Sequence, residues 1–133
     1  MSLLNSYMTD KLEAWVPFDG LPGFEVKLLH LSRPEMQKLQ KAATRITFIA
    51  RQKTEELDSD MFVKAFAKNC ILDWKGLTLE YAMKLLPIVP PKNTDLTQEI
   101  PFSEEDAINL VKNSTTFDQW INGIVFDLDS FRK

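Results

Sequence analysis

The chain has 133 residues, 44% of them hydrophobic, and a formal net charge of −3, which suits one domain with a single core. Domains that mainly neutralise phosphates usually run basic, so a pI near 5.2 argues against nucleic acid as the principal partner. The single cysteine excludes an internal disulfide framework, and no apolar run approaches the roughly 20 residues of a membrane span. The N-terminus lacks the basic start and apolar core of a signal peptide, so we expect a cytosolic protein.

The first thirty residues predict a mobile terminus and then a β-hairpin. Residues 1–12 lack apolar periodicity, as mobile termini often do. Asp19-Gly20-Leu21-Pro22-Gly23 is a cluster of turn formers, and residues 24–28 alternate apolar with charged side chains. We expect residues 13–31 to be extended or to form a hairpin that pairs 14–18 with 24–28, with Pro17 limiting the first strand to a sheet edge.

A helical half is predicted over residues 33–86. Ser32 can cap a free backbone N–H, Pro34 fits a first turn, and Glu35 stands three residues after the cap, as a capping box requires. Apolar residues at three- and four-residue spacings continue this helix to about residue 56: Met36, Leu39, Ala43, Ile46 and Ile49.

Basic residues occupy other faces of the same predicted helix: Lys38, Lys41, Arg45 and Arg51. No aromatic platform alternates with them, as single-stranded nucleic-acid sites require. We therefore interpret this face as solvated or partner-facing, with Lys41 and Arg45 as candidate partner contacts.

Two shorter helices and a loop complete the helical half. Asp58-Ser59-Asp60 supplies caps for a second helix reaching about residue 72, and Gly76 is expected to end this segment in the left-handed conformation. Thr78 can cap a third helix that Pro87 stops. The proline-rich residues 87–99 are predicted to be a loop.

The C-terminal half, residues 100–133, predicts two more helices. Ser103 caps the first, and Glu104-Glu105-Asp106 lies in its first turn, where the helix dipole explains the acids without a metal or acid–base role. The second carries a wide apolar stripe, which is either the centre of the core or partly a partner's surface. Trp120 is the first candidate contact in this stripe, with Phe117, Ile124 and Phe131 beside it.

No arrangement typical of catalysis is present. There is no P-loop, Gly-rich dinucleotide fingerprint, metal-ligand cluster or Ser/His/Asp set. His30 could be a base or ligand, but a lone histidine beside apolar residues is usually structural. Cys70 is expected to be a small buried hydrophobe, since only His30 could partner it. We expect a non-enzymatic protein without metal or cofactor.

The elements together predict a mainly α fold. We expect one helical domain over residues 13–133, with about four to five helices and a short N-terminal β-hairpin or extended segment.

Three segments in their order resemble a known family: Leu72-Asp73-Trp74-Lys75-Gly76-Leu77, the helix start Ile100-Pro101-Phe102-Ser103-Glu104-Glu105-Asp106-Ala107, and the aromatic terminal helix ending in Phe131. With the extended Phe24-Glu25-Val26-Lys27-Leu28, they resemble the tail assembly chaperones of long-tailed bacteriophages and prophages, from about Trp15 onward. The spacer over residues 78–98 is long for that pattern.

The resemblance implies a cytosolic protein of the host bacterium, absent from the mature virion. It would bind the tape measure protein, keep that long helical polypeptide soluble and recruit tail tube subunits. No catalytic residues carry over. Two other classes remain open: a structural head–tail connector or tail completion protein, and a bacterial adaptor or regulator unrelated to phage.

Charge and methionine content agree with a role in assembly. Residues 27–68 hold nine basic and five acidic side chains, and residues 95–133 hold eight acidic and three basic. Such opposite bias predicts possible head-to-tail self-association. Met36, Met61 and Met83 are either core filler or parts of an adaptable surface.

Overall fold

The described chain alternates helices with short strands. The computed structural model describes residues 2–9, 11–49, 52–57 and 59–132, with backbone alone for 45–49 and 52–57. Its elements are α1 (Leu3–Tyr7), β1 (Glu13–Pro17), β2 (Glu25–Leu29), α2 (Arg33–Ala42), β3 (Thr44–Ile49), β4 (Gln52–Leu57), α3 (Ser59–Cys70), β5 (Ile71–Lys75), α4 (Leu79–Leu85), α5 (Glu104–Asn113), α6 (Thr115–Val125) and a 3₁₀ helix (Leu128–Phe131).

A three-stranded antiparallel sheet, in the order β1-β2-β5, supports the core. Side chains alternate between the faces of a strand, so the opposed residues Val16, Val26 and Trp74 all point into the core. The other face is charged, with ion pairs from Lys27 to Glu13 and from Lys75 to Glu25. The predicted hairpin is present as β1 and β2, and Pro17 lies on the edge strand.

Helix α3 packs on the inner face of this sheet, against β2 and β5, and two further helices extend the core, with α5 on α3 and α6 on α5. The largest fully buried side chains lie mainly in these elements and in the β1–β2 turn, and include Phe24, Phe66, Phe117, Leu110 and Ile121. This layering of helices on one face of an antiparallel sheet is an α+β arrangement.

The prediction of a mainly α fold is therefore wrong, and the chain is a mixed α/β domain. The helix predicted to reach residue 56 ends at Ala42, where β3 and β4 begin an antiparallel hairpin. β-Branched and aromatic residues occupy five of the six positions in Thr44-Arg45-Ile46-Thr47-Phe48-Ile49, which favours a strand over a helix. The second predicted helix likewise ends at Cys70, and residues 71–75 form β5.

The terminal helix is also shorter than predicted. It ends at Val125, and Phe131 lies in the following 3₁₀ helix. The Asp127 carboxylate accepts hydrogen bonds from the Asp129 N–H and the Ser130 hydroxyl, at 3.2 and 3.1 Å. This local alternative to helical hydrogen bonding starts the 3₁₀ turn.

The predicted helix starts are confirmed where the structure describes them. Ser32 Oγ accepts the Glu35 N–H and donates to the Glu35 carboxylate at 3.1 Å, and Thr78 and Ser103 cap α4 and α5. Ser114, which was not predicted as a cap, caps α6. Asp58 lies outside the described residues. Between α4 and α5 the chain forms turns and a single β-bridge, from Thr78 to Glu99.

Gly76 has the predicted left-handed conformation, with φ of 77°, although it follows a strand and not a helix. A Cβ atom at this position would lie 1.9 Å from the carbonyl oxygen of Gly23, so the chain needs glycine there. Trp74 Nε1 donates to the Ile100 carbonyl at 2.9 Å, and Tyr81 Oη donates to the Pro22 carbonyl at 2.7 Å. These contacts tie α4 and the loop before α5 to the sheet.

Candidate partner-binding site

Cys70, one of the groups considered for catalysis, lies in the core. Cys70 is fully buried, and burial, followed by the negative charge of Glu35, raises the pKa of its thiol to about 12. A thiol in that state is a poor nucleophile at neutral pH. In the described part of the chain, no group of three or more His, Cys, Asp and Glu side chains could hold a metal ion. None of the described helices has the length and apolarity to cross a membrane.

A groove of about 620 Å³ lies between α2 and the segment after α6. One wall is a stripe of α2, where Arg33, Met36, Gln37 and Gln40 recur at helical spacing. Phe126 and Leu128 line the opposite side and are 42% and 45% exposed. We refer to this feature as the α2 groove.

His30 and Leu31 also line the α2 groove, where the chain leaves β2. The His30 backbone N–H donates to the Leu12 carbonyl, and its ring meets the edge of Phe131 at 5.4 Å between centroids. Its Nδ1 atom is buried and has no hydrogen-bond partner among the described residues. The groove thus combines apolar side chains on both walls with polar side chains of α2, a mixture that ligand sites commonly show.

Helix α2 forms one wall of the groove and lies at the surface of the protein. It has no fully buried side chain, although Met36 and Leu39 pack against the core on one side. The Leu31 N–H donates to the Val125 carbonyl at 2.9 Å, which fixes the end of α6 beside the start of α2. This bond sets the spacing of the two walls.

The four predicted contacts of the terminal stripe are divided between core and surface. Phe117 is fully buried and Phe131 is 6% exposed, so a partner cannot reach their rings in the folded protein. Trp120 is half-buried, with its ring 4.8 Å from Phe18 and 5.6 Å from Phe117 between centroids. Ile124 is half-buried and lines a separate hollow beside β1, with Trp15.

The two basic candidates lie on different elements. Lys41 is exposed in the last turn of α2. Arg45 belongs to β3, opposite Glu56 of β4, and the structure describes only its backbone. The strand therefore separates two residues that the sequence had placed on one helix.

Phe126 and Leu128 were not among the contacts predicted from the sequence. Its helical periodicity ran through Val125 to Phe131, so the change of direction at Asp127 was not anticipated. The Asp127-Leu128-Asp129-Ser130 composition was the available signal, because Asp and Ser favour turns and caps.

A second apolar surface projects from the N-terminus. Helix α1 has no buried residue. Four large side chains of this helix and of Met8, which follows it, are between 72% and 79% exposed: Leu3, Leu4, Tyr7 and Met8. We refer to residues 3–8 as the N-terminal arm. Met8 and Thr9 line a hollow with Leu12, and this hollow shares His30 and Ser32 with the α2 groove.

A family comparison matches the YdaY prophage protein model to residues 29–132. Searches of curated proteins and of solved structures returned no match. The matched segment runs from the end of β2 to the 3₁₀ helix and contains every residue that lines the α2 groove. It confirms the phage or prophage origin predicted from the sequence. Because the match covers well over half of the chain, the chain belongs to the YdaY prophage protein family.

Proposed function

We propose that this prophage protein is a non-enzymatic tail assembly chaperone. It binds the tape measure protein, keeps it soluble in the host cytoplasm, helps recruit tail tube subunits and leaves before the virion matures. The prophage family and the sequence resemblance supply the biological context. The α2 groove is the observation that carries the proposal.

The α2 groove has the chemistry of a site for an amphipathic helix. Such helices insert apolar side chains three and four residues apart into an apolar groove. Met36, Phe126 and Leu128 offer apolar surface here, and Gln37 and Gln40 offer polar contacts along the α2 wall. A tape measure protein is a long helical polypeptide, so it can present many segments of this kind.

One residue in particular suits the α2 groove to more than one segment. Met36 has a flexible, polarizable side chain that can adapt to different apolar shapes. The side-chain amides of Gln37 and Gln40 add hydrogen-bonding groups along the same wall. A site of this type recognises a class of helices and not one sequence.

Co-expression with the tape measure protein of the same prophage tests the proposal. The readouts are the soluble fraction of the tape measure protein and its co-purification with this chain. The groove variant Phe126→Ser/Leu128→Ser should abolish both effects. Its matched control is Val89→Ser/Leu96→Ser, because these side chains are also exposed but lie in the loop between α4 and α5.

An insoluble, unbound tape measure protein with the native chain would overturn the proposal. A connector or tail completion protein should instead be found in purified particles, whereas a chaperone should be absent from them. If the groove variant and its control lost client solubility and co-purification equally, the client would not bind in the α2 groove.

Trp120, Ile124, Lys41 and Arg45 remain proposed secondary contacts. The hollow lined by Ile124 shares no lining residue with the α2 groove, so a client on both would span two surfaces. Trp120→Ala should lower client solubility while the protein stays folded. If that variant only unfolds the protein, Trp120 belongs to the core.

A further inference from the structure

The N-terminal arm is an apolar helix without a surface to cover it. A helix of five residues is too short to be stable alone in water. In the arm, Leu3, Leu4, Tyr7 and Met8 expose nearly three quarters or more of their surface. Clustered apolar exposure of this kind marks an interaction site.

The α2 groove begins where the N-terminal arm is attached. Met8 and Thr9 lie in a hollow that adjoins the groove through His30 and Ser32. The arm nevertheless does not enter the groove of its own chain, because its side chains remain exposed while Phe126 and Leu128 stay uncovered. An exposed apolar arm and an open apolar groove thus stand side by side at one end of the molecule.

We propose that two copies of this chain form a reciprocal dimer in which the N-terminal arm of each copy lies in the α2 groove of the other. Because the arm and the groove are adjacent in each copy, a single twofold axis can bring each arm into the groove of the other copy. Both contacts are then satisfied within the dimer, and no further copy can add. The arm offers two leucines, a tyrosine and a methionine to a groove of about 620 Å³.

The surface buried by this exchange reaches the size of a specific interface. Burying the four large apolar side chains of the arm removes about 400 Å² of its surface, at roughly 100 Å² for each side chain. Together with the smaller surface lost by the grooves, two exchanged arms bury roughly 1,000 Å², which is the lower bound for a specific interface. The inference goes beyond the proposed function but uses the same groove, so a helical client would compete with the arm of the second copy for it.

Sedimentation velocity of the purified chain over a wide concentration range tests the dimer. The native chain should sediment as a dimer. The arm variant Leu4→Ser/Tyr7→Ser and the groove variant Phe126→Ser/Leu128→Ser should each raise the dissociation constant by about 30-fold or more, because two anchors are lost from each of two contacts. The surface control Val89→Ser/Leu96→Ser should leave it unchanged.

A mixture of the two variants gives the sharper readout. The intact arm of the groove variant fits the intact groove of the arm variant, so the mixture should form a heterodimer more tightly than either variant dimerises alone. Every substituted side chain is exposed, and unchanged circular dichroism shows that the variants fold. A monomeric native chain, or a mixture that stays monomeric, overturns the proposal.

Two further outcomes would replace the reciprocal dimer. A native monomer whose sedimentation is the same in both variants would indicate that the arm docks within its own chain. A sedimenting mass that keeps rising with concentration would indicate an open head-to-tail array. No tape measure protein enters this experiment, so its failure leaves the chaperone proposal untouched.

Discussion

Gly76 and Gly23 meet backbone to backbone where the end of β5 passes the β1–β2 turn. Gly76 has a positive φ, and a Cβ atom there would overlap the Gly23 carbonyl group, which is backbone and cannot rotate away. Glu99 Oε1 accepts the Gly76 N–H at 2.7 Å, which holds the crossing in place. The close approach lets Leu77 enter the core immediately after the strand.

Gly76→Ala should lower the free energy of unfolding by roughly 2 kcal/mol or more, because strain at positive φ adds to the steric overlap. The control is Gly123→Ala in α6, where no atom lies within 4 Å of the added Cβ. That change should raise stability by about 0.5–1 kcal/mol, since glycine is a poor helix former. Urea unfolding measures both; similar effects at the two positions would contradict the close approach.

The Cys70 thiol connects stability to pH. Its pKa is raised from the ordinary value of 9.0 to about 12, chiefly by burial and then by Glu35. Below pH 9 the thiol is protonated in both folded and unfolded chains, so its contribution is fully present. Above pH 9 only the unfolded chain loses the proton, which favours unfolding.

The native chain should therefore lose stability between about pH 9 and pH 12, at up to about 1.4 kcal/mol per pH unit from this thiol. Cys70→Ala removes the titrating group, so its stability should fall less over the same interval. Urea midpoints of both chains give the difference in slope, which cancels the titration of tyrosines and lysines. Parallel slopes would mean that the thiol is not shielded from water.

At the scale of elements, one residue ends α5 and begins α6. The Ser114 N–H donates to the Leu110 carbonyl at 3.0 Å, and its hydroxyl oxygen accepts the Phe117 N–H at 3.2 Å. Ser114 is 2% exposed, so water cannot replace either bond. It thereby sets the angle at which Phe117 enters the core.

Ser114→Ala should lower the free energy of unfolding by about 1–2 kcal/mol, because it leaves the Phe117 N–H without its acceptor. Ser2→Ala removes the corresponding cap of α1, where Ser2 accepts from Asn5. That helix buries nothing, so global unfolding should not change. An undiminished midpoint in Ser114→Ala would indicate that another group satisfies the amide.

The elements that the sequence predicted correctly depend on local chemistry. Ser32, Thr78 and Ser103 act on backbone groups within three residues, and Pro87 acts on its own turn. β5 was missed because its partner β2 is distant in the chain, and five residues carry little periodicity of their own. The apolar residues of 44–49 fit both the spacing of a helix and the alternation of a strand, so their pattern did not distinguish the two.

The candidate site was predictable only in outline. The apolar stripe of α6 was visible as periodicity, but its division between core and surface depends on the sheet it faces. Phe117 and Phe131 were therefore indistinguishable in sequence from exposed neighbours such as Phe126. The α2 groove is formed by segments that are far apart in the chain, so no local pattern shows it.

At the scale of the whole molecule, the backbone of the β3–β4 hairpin contacts mainly itself. The other strands contact α3 and the 3₁₀ helix. Thr44 pairs with Leu57, so the two ends of the hairpin lie about 5 Å apart. A short connection can therefore replace it.

Replacing residues 44–58 with a short Gly-Ser linker should change the free energy of unfolding by less than about 1 kcal/mol, since loop closure depends weakly on length. Thermal unfolding and dimerisation should both survive, because the α2 groove is untouched. The same variant removes Arg45, so a loss of client binding without a loss of stability would indicate that the hairpin contacts the client. Unfolding of the variant would show that the core depends on the hairpin.

The edge strand β1 has a consequence for how safely the protein can accumulate. Leu12 and Phe18 exchange hydrogen bonds with the chain around β2, so Glu13 and Trp15 direct their amides outward, and Pro17 has none to offer. The 3₁₀ helix also packs against this strand. A fibril growing by strand addition at this edge would find a short and interrupted template, which disfavours aggregation when the protein is concentrated.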